Sequence, residues 1–239
     1  MLLFFFAAVV AGIRYEEFLL PAPSYAVELN STEGWNLLTR QTTLSRSYQA
    51  LSIHFETQVT ESYCGIASAV AVFNSLPVPP VPVDPTYSPY AYWTQSVLGS
   101  DACVVGIHDP TYGSTRSQLA AMLGDCFPVK VLNVSATDSL ADMRSIVFDA
   151  LSDNATTHLV ANFDRQGLNE TGGGHFSPVA AYDPVGDLVL ILDVAKYKYP
   201  PLWVPLADLV AAMDTVDPDS RAMRGLLVLA HKDNGAAAL

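Results

Sequence analysis

The chain reads as an α+β protein in which a helical half precedes an antiparallel sheet. Three observations predict this. A small-residue apolar run with helical spacing occupies 63–74. Short apolar or alternating runs, the mark of strands, gather after residue 127. Two of them flank Asp183-Pro184-Val185-Gly186, a turn sequence that joins them as an antiparallel hairpin. Helices first and strands later is an α+β order. A chain of 239 residues, half of them hydrophobic, suits one domain with a sizeable core. That domain is expected at 26–232, between a leader at 1–25 and a tail at 233–239.

The elements follow in order. Asn30-Ser-Thr-Glu-Gly is a polar entry to a short helix over 35–40. In the helix over 63–74, Ile66, Val70 and Phe73 recur at helical spacing as its core stripe. Six prolines from Pro77 to Pro89 then impose an extended loop. Thr115 and Gln118 have the spacing of a capping box and open a helix over 117–123. Residues 127–133 alternate as a strand, and Asp138 caps a helix through Leu151. Strands at 158–163, 175–182 and 187–195 precede a helix at 206–213 and a last strand at 225–230.

A formal net charge of −12 argues against nucleic-acid binding, which needs a basic footprint. Three cysteines are too few for a disulfide framework in a chain of this length. Two readings of Cys103 and Cys126 stand: a pair, if the chain is exported, or two buried thiols. Residues 1–12, apolar and ending in small residues, resemble a signal-peptide core without a basic start. Export to a secreted or periplasmic location is the favoured expectation, with the cytoplasm as the alternative. That segment is too short to span a bilayer, and no other segment reads as a membrane span.

Cys64 ends a polar stretch and begins an apolar helix. Unpaired N–H groups at a helix start stabilise a thiolate there. Gln58, six residues upstream, can present a side-chain N–H to the same place, so nucleophile and oxyanion donor are together. The second half of the chemistry comes from the hairpin. Closure at Asp183 and Asp187 pairs His175 with Ala195 and sets Asp193 two positions along on the same face; a slip of one residue would separate them. Asp193 would then accept the Nδ1–H of His175 and leave Nε2 as the base. The glycines before His175 let backbone approach a substrate closely. The order Gln, Cys, His, Asp is that of papain-like thiol enzymes, with Asp in place of Asn. No cysteine or histidine spacing suggests a metal site.

Gln58-Val-Thr-Glu-Ser-Tyr-Cys64-Gly65-Ile-Ala-Ser, Gly173-Gly174-His175-Phe176-Ser177-Pro178 and the run from Ile191 through Asp193 to Trp203-Val204 together resemble phytochelatin synthase. The resemblance covers 30–230. Tyr87-Ser88-Pro89-Tyr90 and the short length are similar to the bacterial-type, single-domain members; the cysteine-rich extension of the plant enzymes is not seen.

The resemblance implies a papain-like cysteine proteinase fold, with a helical lobe carrying the nucleophile and an antiparallel sheet carrying His and Asp. It implies glutathione as substrate. Cys64 would attack the Cys–Gly carbonyl, Gln58 and the Cys64 N–H would hold the oxyanion, and His175, oriented by Asp193, would protonate the leaving glycine. A second glutathione as acceptor gives phytochelatin; water gives hydrolysis. Asp217 and Arg224 are similar to a clamp for the γ-Glu end, against the alternative of a surface ion pair, with Arg221 as a substitute clamp. Tyr197, Lys196 and Lys198 line the pocket or form a solvated edge. The chemistry needs no cofactor. Cadmium, zinc or copper would act through metal–glutathione thiolates, since soft metals bind thiolate. A general papain-like peptidase and an inactive thiol- or metal-binding protein are the competing readings, and a homodimer stays open.

Overall fold

The computed structural model describes residues 19–76, 78–136, 139–152 and 155–232. Most of the expected leader, the tail and the Asp138 cap lie outside them.

The first half is helical, as expected. After strand β1 (Val27–Glu28) come helices α1 (Thr32–Thr39), α2 (Arg46–Leu51) and α3 (Cys64–Ser75), then α4 (Gln95–Ser100), α5 (Ala102–Val105) and α6 (Arg116–Cys126). Then follow β2 (Val129–Ser135), α7 (Leu140–Ser152), β3 (Thr157–Asp164), β4 (Gly174–Asp183), β5 (Leu188–Ile191), β6 (Leu202–Pro205), α8 (Leu206–Met213) and β7 (Gly225–His231). The seven strands form one antiparallel sheet in the order β1-β6-β5-β4-β3-β7-β2.

Helices cover both faces of this sheet. Val160, Ala180, Leu190, Leu192 and Trp203 share a core with α1 to α6. Leu159, Ala161, Phe163, Val179 and Val204 share the other core with α7 and α8. Alternate residues of one strand thus enter opposite cores, which explains why β3 and β4 are buried almost end to end.

Helix α3 is the centre of the first layer. The sequence suggests a core stripe, yet every residue from Gly65 to Phe73 is buried. Ala67, Ser68, Ala69 and Ala71 are small enough for neighbours to close on all sides, so the helix is wrapped rather than half-exposed. The capping box at Thr115 and Gln118 has both halves, and its helix extends to Cys126. Helices α2, α4 and α5 and strands β1 and β6 are too short to give a periodic signal. Only the caps mark two of them: Thr94 accepts from Val97 N–H, and Asp101 from Cys103 and Val104 N–H. Cys103 and Cys126 form a disulfide that ties α5 to α6, with Cα atoms 5.9 Å apart.

The hairpin differs from expectation and then returns to it. Its closing pair is Asp183 with Leu188, one residue off, because Asp187 and not Gly186 takes the left-handed conformation, at φ 53°. The buried Asp183 carboxylate accepts the Gly186 N–H at 3.1 Å, which fixes this longer loop. That register alone would put His175 and Asp193 on opposite faces. A β-bulge between Val179 and Ala181 absorbs one residue, and Val179 pairs with Ile191 in the expected register.

Candidate active site

Cys64 opens α3 after Tyr63, which makes no side-chain cap, so N–H groups of the first turn remain free around the sulfur. The approach loop is anchored to the sheet: Gln58 N–H donates to Val194 O at 2.8 Å, one residue from Asp193. Gln95 secures the same loop, accepting from Val59 N–H at 3.0 Å and donating to Thr57 O at 2.9 Å.

His175 begins the inner part of β4. Its Nε2 lies 2.9 Å from Asp193 Oδ1 and 2.9 Å from Ser177 Oγ. The ring nitrogens therefore have the reverse of the expected roles: Nε2 faces the acid and Ser177, which leaves Nδ1 for Cys64. The register gives the reason. Continued from Val179 and Ile191, it sets Asp193 opposite Ser177, and only the far nitrogen of His175 spans the diagonal.

Electrostatics favour charge separation across this contact. Burial opposes a thiolate, but the hydrogen bond and charge of His175 and the N–H groups of Phe176 and Gly65 hold the Cys64 thiol below its ordinary value. Burial likewise opposes an imidazolium, while the charge and hydrogen bond of Asp193 raise His175. Against its own desolvation, Asp193 is held at about 2 by His175, by Arg165 and by the Ala195 N–H. A thiolate–imidazolium pair in this position can attack a carbonyl and then give a proton to a leaving group.

Two cavities flank the thiol and imidazole. One, of about 140 Å³, is lined by Cys64, Asn162, Gly174, Asp217 and Arg224 among others. Asp217 and Arg224 are buried, with Oδ1 and Nη1 3.3 Å apart. They are thus not a surface pair. Arg224 Nε and Asn162 Oδ1 are buried with no hydrogen-bond partner among the described residues, a donor and an acceptor left for a ligand. Arg221, the substitute clamp, is exposed and does not line this cavity. The other cavity, of about 170 Å³, is lined by Gln58, Arg165, His175, Tyr197 and Lys198 among others. Lys196 is turned away to Phe55, whose carbonyl it reaches at 3.1 Å.

Gln58 is buried in that second cavity, but its amide hydrogens are engaged. Nε2 donates to Thr60 O at 2.8 Å and to Tyr197 Oη at 3.0 Å. An oxygen atom therefore already accepts the N–H that the sequence assigns to an oxyanion, and the Tyr197 side chain that carries it is 42% exposed.

A family model described as phytochelatin synthase matches residues 17–226. The chain belongs to the phytochelatin synthase family. Among relatives, it is 34% identical over 215 residues to glutathione gamma-glutamylcysteinyltransferase 3 of Lotus japonicus, covering 88% of this chain and 43% of that protein. It is 32% identical over 226 residues to glutathione gamma-glutamylcysteinyltransferase 1 of Arabidopsis thaliana, covering 90% and 44%. The Schizosaccharomyces pombe glutathione gamma-glutamylcysteinyltransferase is 27% identical over 210 residues, covering 87% and 49%. The chain spans less than half the length of these relatives.

Within this phytochelatin synthase family member, the sequence missed Arg165, Glu170, Ser177 and Asn162. Arg165 Nη2 lies 2.7 Å from Asp193 Oδ2, and Nη1 lies 2.5 Å from Glu170 Oε2, all three groups being buried. One signal was available. The Gly172-Gly173-Gly174 run makes room for two arginines rather than only for substrate: a Cβ on Gly172 would meet Arg165 Cδ at 2.8 Å, and one on Gly174 would meet Arg224 Nη2 at 2.9 Å. Among the described residues no group of three or more His, Cys, Asp or Glu could hold a metal ion, and no helix is long and apolar enough to cross a membrane.

Proposed function

We propose that this domain is a glutathione γ-glutamylcysteinyltransferase acting through a γ-Glu-Cys thioester on Cys64. The observation that carries this is the buried Asp217–Arg224 pair in the same cavity as the thiol. A γ-glutamyl group carries an ammonium and a carboxylate on one carbon. A carboxylate and a guanidinium side by side complement both, and guanidinium suits carboxylate through a two-pronged hydrogen bond. The names of the relatives, glutathione gamma-glutamylcysteinyltransferases, agree with this substrate.

In this reading the Cys64 thiolate adds to the Cys–Gly carbonyl carbon. Gln58 Nε2, exchanging its bond to Tyr197, and the Cys64 N–H hold the oxyanion; one such donor is worth about 3–4 kcal/mol. The C–N bond breaks as His175 gives its Nδ1 proton to the departing glycine amine, and a thioester remains. The amine of a second glutathione then attacks it, His175 takes back a proton, the C–S bond breaks and the thiolate is restored. Heavy-metal ions such as cadmium, zinc or copper enter as glutathione thiolates, as part of the substrate. A thiol at the start of a wrapped central helix, facing histidine and acid on an antiparallel sheet, supports a papain-like arrangement. The Cys103–Cys126 disulfide supports an oxidising, exported location, which cell fractionation checks.

The deciding experiment incubates the chain with glutathione, with and without cadmium, and weighs the products. Products with two or more γ-Glu-Cys units support transfer. Free γ-Glu-Cys alone makes water the acceptor and overturns the transferase reading; no glycine release overturns both.

A further inference from the structure

We propose that Arg165 is a positioning residue for the Cys64 chemistry: it clamps the Asp193 carboxylate toward His175 and offsets its charge, with Glu170 holding the guanidinium from the far side. This rests on the reading of Cys64 and His175 as nucleophile and acid.

The clamp is built on every side. Asp193 Oδ1 receives His175 Nε2 at 2.9 Å, Arg165 Nη2 at 2.9 Å and the Ala195 N–H at 2.8 Å. The same Nη2 lies 2.7 Å from Oδ2, so the guanidinium meets both carboxylate oxygens through one nitrogen while Nη1 goes to Glu170. The arginine itself cannot swing. Its N–H donates to Gly173 O at 3.1 Å, its carbonyl accepts from Glu170 N–H at 2.9 Å, and its guanidinium lies over the Tyr199 ring, 5.3 Å from the centroid. Tyr199 in turn accepts the Thr171 N–H at 2.7 Å. The short turn Arg165–Leu168 that carries the arginine is pressed on α8, where a Cβ on Gly167 would meet Ala212 Cα at 2.7 Å.

The need for such a clamp follows from the chemistry. A thiol enzyme needs its third residue to orient the imidazole, a task that a neutral amide can perform. An aspartate held against Nε2 also stabilises the imidazolium, and His175 must give up its Nδ1 proton to the leaving amine. A buried guanidinium against the same carboxylate offsets part of that stabilisation, because a nearby cation disfavours an imidazolium. Asp193, Cys64, Arg165 and Glu170 face His175; Tyr197 and Tyr199 face Arg165; Tyr25 faces Glu170; Lys198 and Glu61 line the cavity that His175 and Arg165 share. Burial and the Asp193 charge raise Glu170 to about 7 against the pull of Arg165, so its ionisation adjusts how much cation Arg165 presents near neutral pH.

The test is an imidazole NMR titration in the Cys64→Ala background, where the thiol does not co-titrate. The His175 resonance is assigned by its loss in His175→Asn. Arg165→Met should raise the His175 midpoint by about one pH unit or more. Arg165→Lys, which keeps charge but not the fork, should hold the midpoint within half of that shift while glycine release from glutathione, measured with Cys64 present, falls at least tenfold. Glu170→Gln should lower the midpoint, and it carries the test alone if Arg165→Met does not fold. An unmoved midpoint in Arg165→Met, or Arg165→Met and Glu170→Gln moving it the same way, overturns the proposal. Absence of glycine release from the parent chain would overturn the proposed function and leave the NMR result to decide Arg165 by itself.

Discussion

Arg224→Met tests where the γ-glutamyl end is read. The guanidinium is buried, lines the thiol cavity and has an Nε without a partner among the described residues. Its partner Asp217 is not orphaned by the change, since it accepts the Ser220 hydroxyl at 2.8 Å and the Asp219 N–H at 3.4 Å. The stability cost should therefore stay near the lower end for a buried polar loss, about 1–3 kcal/mol. A two-pronged contact to the substrate carboxylate is two charge-assisted hydrogen bonds. At about 1.5 kcal/mol each, their loss is about 3 kcal/mol, or roughly a hundredfold in kcat/KM. The contact lies away from the scissile bond and is made equally before and during reaction, so the loss should appear in KM with kcat kept. Steady-state glycine release, with folding checked by thermal unfolding, measures both. Cys-Gly, which lacks the γ-glutamyl group, is the control and should react equally with parent and variant. A loss of less than about fivefold, or an equal loss with Cys-Gly, would refute the reasoning.

Other expectations follow from the same geometry. Gly174→Ala puts a Cβ within 3.0 Å of the Arg224 guanidinium, which yields because it is the far end of a long side chain; glutathione KM should rise at least tenfold while unfolding changes by less than about 1 kcal/mol. Tyr197→Phe removes the oxygen that occupies Gln58 Nε2, so kcat should stay level or rise, and a tenfold fall would show that the phenol itself takes part. Glu170 titrates at about 7 when folded and near 4.5 when unfolded, so its contribution to stability is complete below about pH 4.5 and is lost as pH rises to 7, by on the order of 2–3 kcal/mol. Urea unfolding of the parent should show this loss, and Glu170→Gln should remove it.

Much of the site was legible because its signals are local. A thiol at the start of an apolar helix and a glutamine six residues before it need only neighbouring residues to be seen. The hairpin was nearly legible: turn chemistry placed His175 and Asp193 near each other, yet the loop closed one residue late and the bulge near Ala180 corrected it. Two one-residue departures cancelled, and nothing in the alternation of β4 marks either. Beyond the glycine at 172 that leaves room for Arg165, neither Arg165 nor Glu170 gave a sequence signal, since a buried ion pair looks like ordinary surface charge until the chain is folded around it.

The sequence by itself determined the α+β order and singled out Cys64, His175 and Asp193 as candidates, because periodicity, capping and turn chemistry act over a few residues. Only the tertiary structure decided which imidazole nitrogen meets Asp193, that helices cover both faces of the sheet, and that Asp217 and Arg224 are buried beside Cys64 while Arg221 is not. Those depend on diagonal distances across strands and on which long side chains find space past the glycines, and both are set only when distant segments pack together.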